Sequence, residues 1–385
     1  MLEYAIKGDK RYYGWIAVLL GLIGVGFGFY LWQLKFGLGI TGLSRDVSWG
    51  FYIAQLTYMV GVAAGGVMVV LPCYLHDYKA FGRITVLGEF LAIAALIVCL
   101  LSVVVDLGQP SRLLNVIIHF SPRSMLFYDM IVLNVYLFLN LVVGWNVLQA
   151  ERNGTHYPLW VKPLIYLSIP WAISIHTVTA FLYCGLPGRG FWLTAILAPR
   201  FLASAFAAGP ALLIVLSLII RRVSNFDPGR EQIQTLAKII TYALIANLFF
   251  FGCELFVAFY SNIPEHMDHI KYLFVGIHGH GVLVPWMWSS MALMVLALIL
   301  LIPPITRRNE GVLAVACIML FIGAWIDKGL GLISAGFVPN PLHEVNEYMP
   351  SFPEIMITIG VYAIGALVLT VLYKMVVGVK VEVRA

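Results

Sequence analysis

Asp129 and His176 are the residues of this chain best placed to move protons. Asp129 lies in SMLFYDM, one turn into an apolar run. His176 lies in PWAISIHTVTAFLY and is the only histidine well inside such a run. An ionisable side chain among hydrocarbon is costly and is kept where it has a task. Burial disfavours the charged form, so a carboxylate there holds a proton more readily and can serve as acid or base. Asp106, at the head of DLGQPSR, and Tyr128, beside Asp129, fall with Arg112 at the facing ends of consecutive apolar runs. Antiparallel neighbours would bring them together. Plainer roles compete: His176 serves almost equally well as a hydrogen bond between helices, and Asp106 with Arg112 as an ion pair capping two helices.

Other polar residues divide into path and scaffold. Glu89 in LGEFLAIAA and Glu254 in FFFGCELF are carboxylates inside apolar runs, and both are candidates for a proton path. Glu89 sits nearer the cytoplasmic end, where simple solvation is the alternative. Asp327 and Lys328 are adjacent, and adjacent helical residues do not face each other. A structural pair of Lys328 with Glu354, which opens the next run in PSFPE, is the expected solution. Cys73, Cys99, Cys184, Cys253 and Cys317 are isolated, with no C-x-x-C, so no iron–sulfur cluster is expected. A haem b needs two facing histidines, and His76, His119, His156, His266, His269, His278, His280 and His343 lie near run ends or in loops. No metal site is expected. GIHGHG and DKGLG lack the strand–loop–helix setting of a phosphate loop. Trp49, Trp192, Trp286 and Trp288 suit interfacial belts.

The elements that must carry these residues follow from composition. Hydrophobic residues make up 61% of the 385 and charged ones 11%, against ~25% charged in soluble domains. With a mean hydropathy of +0.91, the class is an all-α polytopic membrane protein. Ten runs are long enough to span: 14–34, 51–75, 84–105, 125–148, 161–182, 198–220, 236–259, 281–302, 311–332 and 355–377. Counting lysine and arginine gives 16 on the side of both termini and 8 on the other. The positive-inside rule then places the N- and C-termini in the cytoplasm of an inner-membrane protein. Asp106, Arg112, Tyr128, Asp129, His176, Arg189, His278, Asp327, Lys328 and Glu354 crowd toward the extracytoplasmic side. So do the loops LGQPSR, FSPRS, GLPGRGFW, FVPNPLHE and EYMPSFPE, whose proline and glycine favour order and a docking surface. The charged start running into a long apolar stretch suits an uncleaved first helix. The net charge of +5 is spread through loops and is no nucleic-acid signal. A single integral membrane domain over 1–385 is expected, with 14–148 as a first four-helix bundle, 161–302 as a second, and 311–377 as an added helix pair.

SWGFYIAQ, VDLGQPSR, the histidine of the fifth run, FGCELF and PSFPE occur in an order and spacing that resemble the NrfD/polysulfide-reductase (NrfD/PsrC) membrane-subunit family over essentially the whole chain. Within it, MLEYAIKGDKRYYGW, YLHDYKAFG and AWIDKGLGL with FVPNP look closest to the DsrP branch, found in the Dsr complex of sulfur metabolism. The resemblance implies a cofactor-free, quinone-reactive subunit, with menaquinone or menaquinol as substrate. It implies four partners: an extracytoplasmic ferredoxin-like iron–sulfur protein, a multihaem cytochrome c, a membrane cytochrome b and a cytoplasmic iron–sulfur subunit. It also implies a quinone pocket near the extracytoplasmic ends of the first four runs. Gln33, Asp106, Tyr128 and Asp129 stand at the matching polar positions, although the first run lacks the Asn/His pair of some members. On that basis Tyr128 or Gln33 would hydrogen-bond a quinone oxygen, and Asp129 or His176 would take the proton. A secondary transporter and a haem b quinol-oxidising subunit are the competing classes. Transporter sites tend toward the midplane, whereas these polar groups lie toward one face.

Overall fold

The computed structural model describes residues 1–66, 81–224 and 226–382. Ten helices carry the fold: α1 (Lys10–Phe36), α2 (Phe51–Ala64), α3 (Gly82–Asp106), α4 (Met125–Arg152), α5 (Val161–Cys184), α6 (Leu197–Val223), α7 (Arg230–Tyr260), α8 (Val284–Leu301), α9 (Glu310–Ala335) and α10 (Phe352–Glu382). Among the described residues nine are long and apolar enough to cross a bilayer, and the chain is a multi-pass membrane protein. The exception is α2, which is described only to Ala64 as a helix. The rest of the expected 51–75 span, with Cys73, His76 and most of YLHDYKAFG, lies outside the described residues.

Local chemistry sets several boundaries. The Asp9 carboxylate caps α1 by accepting from Tyr12 N at 2.9 Å, and Asn309 caps α9 through Gly311 N at 3.0 Å. At the far end of α1 the chain turns at Gly37 with φ 73°, where a side chain would be strained. Pro170 and Pro210 sit within α5 and α6 without ending them, as neighbouring helices permit at membrane depth. One irregularity bears on the placement of charged side chains: in α9, Ile326–Gly331 forms a π-helical turn. The extra residue in that turn changes the direction of the side chains around it.

Packing pairs α2 with α3, α4 with α5, α6 with α7, and α8 with α9. Helix α2 also rests on α5 and α6, and α9 on α6. At the α2–α6 crossing a Cβ on Gly65 would stand 2.5 Å from Gly209 Cα, so the two backbones meet directly. Of the bundle expected over 14–148, α2 packs on α3 and α3 on α4, while α1 has another main neighbour. Helix α1 packs chiefly on α10, and α10 in turn on α3. The reason is another small-residue contact: a Cβ on Gly26 would lie 2.6 Å from Gly360 Cα. The expected pair 311–377 is likewise divided, with α9 against α8 and α6, and α10 against α1 and α3.

The loops of 37–50, 185–196 and 336–351 knit one face of the molecule. Trp192 packs between Trp49, tilted against it at 6.2 Å, and Phe337, edge-on at 5.2 Å between centroids, and its Nε1 donates to Leu332 O at 2.9 Å. The Arg189 guanidinium lies over the Phe337 ring at 4.3 Å, so these aromatics form a packed cap, with Trp192 fully buried in it and not set in an exposed belt. The short helix Pro264–Phe274 joins them through His269 Nδ1, which donates to Val338 O at 3.0 Å. Burial pulls the His269 imidazole below its ordinary pKa. The opposite face carries the termini and is held by ion pairs, among them Lys380–Glu151 at 2.8 Å and Arg152–Glu3 at 2.8 Å.

Candidate functional site

Buried polar atoms almost always find a hydrogen-bond partner, so those that do not are pointers. Asp106 Oδ1, both carboxylate oxygens of Glu89 and both ring nitrogens of His176 are buried and unpartnered. All three residues stand out in the sequence as well.

Around Asp106, α1, α2 and α3 end together on the loop-rich face. Gln33 is 3% exposed; its Nε2 donates to Val105 O at 2.6 Å and its Oε1 accepts from Tyr52 OH at 2.7 Å. The Asp106 carboxylate lies within electrostatic reach of that phenol. Gln33 thus reaches the end of α3 next to Asp106 through Val105, and Tyr52 is in reach of both. Behind Tyr52, Glu354 accepts from Gly42 N at 2.7 Å, Ser351 N at 2.8 Å and Tyr348 OH at 2.8 Å. Tyr348 OH accepts in turn from Phe51 N at 2.7 Å. Burial, with the Glu354 carboxylate beside it, pushes the Tyr348 phenol well above its ordinary pKa and keeps it a donor. Glu354 is thus the anchor that ties the 37–50 loop to α10.

Two expected members of this site stand elsewhere. Tyr128 is exposed and donates to Pro122 O at 2.9 Å, while its neighbour Asp129 is 3% exposed. Adjacent helical positions point about 100° apart, and here the inward direction falls to Asp129 and the outward one to Tyr128. Arg112 is exposed and makes no ion pair with Asp106; the short turn Pro110–Arg112 carries it into the loop.

Deeper in the molecule, Thr179 of α5 donates to Asp129 Oδ1 at 2.7 Å. Asp129 and Asp106 both act electrostatically on Tyr183, whose hydroxyl is hydrogen-bonded to Thr57. These two residues stand between the clusters. His176, one helical turn from Thr179, is fully buried. Its ring feels the Ala172 carbonyl one turn back, but neither nitrogen makes a hydrogen bond of ordinary geometry. A Cβ on Gly61 would lie 3.7 Å from His176 Nε2 and 3.2 Å from Lys328 Nζ, so both groups face the bare backbone there.

Lys328 is not paired with Glu354, contrary to expectation. Its Nζ approaches Phe201 O at 3.4 Å and sits over the Phe201 ring at 4.2 Å. The π turn places Lys328 against α6 and α2 and leaves it away from the helix end. Its neighbour Asp327 accepts twice from Arg200 Nη2, at 2.8 Å each, and Arg200 also donates to Glu254. Glu254 is therefore a member of an ion cluster and not a free carboxylate along a path. Two carboxylates face one guanidinium, with the Lys328 ammonium adjacent, which balances charge where bare ions are costly. By position Arg200 falls among the loop cations of 183–200. Its place in LAPRFLAS, inside the apolar α6, is the signal that it turns inward. Glu89 lies toward the termini-bearing face, with Oε2 next to Gly144 and the Lys380–Glu151 pair in electrostatic reach.

Among the described residues no group of three His, Cys, Asp or Glu side chains is arranged to hold a metal ion. What the two clusters offer is hydrogen bonding and proton exchange with a neutral, oxygen-bearing ligand.

Known proteins resemble this chain over 70–95% of its length. A Halobacterium salinarum protein assigned as a membrane subunit of dimethyl sulfoxide reductase is 26% identical over 92% of this chain and 89% of its own. The integral membrane subunit of an Hdr-like menaquinol oxidoreductase from Archaeoglobus fulgidus is 23% identical over 70% of this chain and 66% of its own. The integral membrane subunit of a menaquinone reductase from Nitratidesulfovibrio vulgaris is 21% identical over 95% and 91%. The family described as polysulphide reductase, NrfD, matches residues 39–338, well over half of the chain, and the chain belongs to that family.

Proposed function

We propose that this protein is the quinone-reactive integral membrane subunit of a larger redox complex, without complete activity of its own. The observation that carries this reading is the unpartnered Asp106 Oδ1 beside the Gln33–Tyr52 pair at the ends of α1–α3. Two relatives whose names specify menaquinol or menaquinone support the substrate class. Tyr52 OH donates to Gln33, so its oxygen remains free to accept, and the Gln33 amide keeps a second N–H. One quinol hydroxyl can donate to Asp106, while Gln33 and Tyr52 orient the other oxygen.

Oxidation of the quinol releases two electrons and two protons. Asp106 takes a proton at its free oxygen. Asp129 and His176 receive protons further inward, and Glu89 stands as the carboxylate of a path on the other side. The electrons pass to an iron–sulfur partner docked on the loop-rich face, which is the extracytoplasmic one in this reading, with both termini cytoplasmic. A Dsr-type complex of sulfur metabolism would supply that partner together with a multihaem cytochrome c, a membrane cytochrome b and a cytoplasmic iron–sulfur subunit. Proton translocation through Asp129, His176 and Glu89 is a further part of the proposal.

The test is co-purification of the tagged chain from its native membrane, followed by menaquinol-dependent reduction of whatever redox protein accompanies it. Reduction by menaquinol, blocked by a quinol-analogue inhibitor, is the expected result. A chain that purifies alone and binds no menaquinol would overturn the reading.

A further inference from the structure

A groove opens sideways between α1, α2, α9 and α10, on the face of α2 that carries Phe51 and Gln55. It encloses about 490 Å³, within the ~300–1,000 Å³ of sites that hold small organic ligands. Its walls are hydrocarbon and aromatic, with Leu19, Phe321 and Ile359 among them and Phe51 set edge-on to Trp325 at 6.2 Å between centroids. Gln55 forms a polar point in this wall. Its Oε1 accepts from Trp325 Nε1 and from Tyr362 OH, both at 2.8 Å, and its Nε2 donates to Phe51 O at 3.0 Å. One amide hydrogen of Gln55 and the acceptor side of the Tyr362 oxygen remain unused.

Thr358 supplies the decisive observation. It lines the same groove, is 6% exposed, and its hydroxyl has no partner. Helical threonines commonly donate to the carbonyl one turn back, as Thr57, Thr85, Thr241 and Thr370 do in this chain. Thr358 does not, and a buried hydroxyl left unpaired is costly.

We propose that this groove is a second binding site for an isoprenoid quinone, separate from the one at Asp106. Thr358 and the free Gln55 amide hydrogen are donors for a ring carbonyl, the aromatic pair is a platform for the ring, and the open side lets the prenyl tail run into lipid. A phospholipid acyl chain has no polar atom to offer at that depth and would leave Thr358 and Gln55 as they are. The two sites are distinct because Phe51 and Gln55, one turn apart, share a face of α2, whereas Tyr52 lies about 100° further round and turns to Gln33. This inference rests on the quinone-reactive reading above.

The experiment is photolabelling of the purified complex in lipid nanodiscs with a prenylated azido-naphthoquinone, followed by peptide mapping. Two sets of labelled peptides are expected, one around Tyr52 and Asp106 and one covering 321–325 and 355–366. Ala366→Phe, which fills the lip of the groove, should cut the second label at least tenfold. Thr358→Val, which keeps the shape and removes the hydroxyl, should weaken it severalfold. Both should leave the label near Asp106 in place. Label near Asp106 alone, groove label undiminished by either substitution, or a phospholipid recovered from the groove would overturn the second site only. Label nowhere would overturn the quinone reading as a whole.

Discussion

Tyr52 OH donates to Gln33 Oε1 at 2.7 Å, joining α2 to the end of α1 beside the free oxygen of Asp106. Because α1 is held mainly by α10, this bond is one of the few polar links between α1 and the helices of the core. Tyr52→Phe removes the donor and the phenol oxygen while keeping the ring. It is expected to raise the KM for quinol about tenfold, near 1.4 kcal/mol, with a smaller change in kcat. Steady-state quinol oxidation by the assembled complex measures both constants. A tenfold loss of kcat at unchanged KM would instead make Tyr52 a participant in the chemical step.

Asp129 is held by Thr179 at 2.7 Å. Thr179→Val leaves that buried carboxylate without its donor, at a cost of about 1–3 kcal/mol. Asp129→Asn keeps a hydrogen-bonding partner for Thr179 and removes the titratable group. The expected outcome is a separation of effects. Thr179→Val should lower the unfolding temperature of the purified complex with partial activity. Asp129→Asn should fold normally while turnover falls about 10²–10⁴-fold, the range for loss of a proton-transfer group. Equal activity in Asp129→Asn and wild type would remove Asp129 from the proton route.

Arg200 holds Asp327 and Glu254 at once. Arg200→Met would leave two buried carboxylates with only Lys328 nearby, and removing one partner of a buried ion cluster costs about 3–5 kcal/mol. Loss of the assembled protein from the membrane, read by blotting, is expected. The triple change Arg200→Met, Asp327→Asn, Glu254→Gln removes the charges together and should restore most of the protein level. A failure of the triple variant to recover would show that the charges act beyond mutual compensation.

The loop-rich face should loosen in acid. Burial favours the neutral His269 ring, so the folded pKa lies below the ordinary value of ~6.5. The unfolded segment then binds more protons in the window just below that value. The stability contributed by burying a neutral His269 is complete above about pH 6.5 and is lost as pH falls toward the folded pKa. Hydrogen exchange within Pro264–Phe274, corrected for intrinsic rates, should speed up between pH 7.5 and 5 in the wild type and stay flat in His269→Gln. Protection that does not depend on pH in the wild type would contradict this.

How much is legible in the sequence depends on the kind of interaction. Asp106, Glu89, Asp129 and His176 are visible because a polar side chain in an apolar run is costly wherever it ends up, and all four are at least partly buried in the fold. Direction is harder. Tyr128 and Asp129 are neighbours in sequence, yet one is exposed and the other buried, and no spacing rule chooses between them. The partner of Lys328 is hidden by the π turn Ile326–Gly331, since one extra residue redirects a side chain without leaving a mark in hydropathy. Arg200 falls with the loop cations because it stands near the end of a span, although LAPRFLAS carries it inward. The pairing of α1 with α10 depends on Gly26 meeting Gly360 across the full length of the chain, and no local pattern encodes so distant a contact.

The measurement that bears most directly on the central claim is single-turnover electron transfer from menaquinol in the assembled complex carrying Asp106→Asn. The substitution keeps size and hydrogen bonding and removes the proton acceptor whose oxygen is buried and free in the fold. The account predicts assembly at wild-type level, quinol binding reduced no more than about tenfold, and electron transfer slowed about 10²-fold or more. Electron transfer at the wild-type rate in a fully assembled Asp106→Asn complex would contradict it.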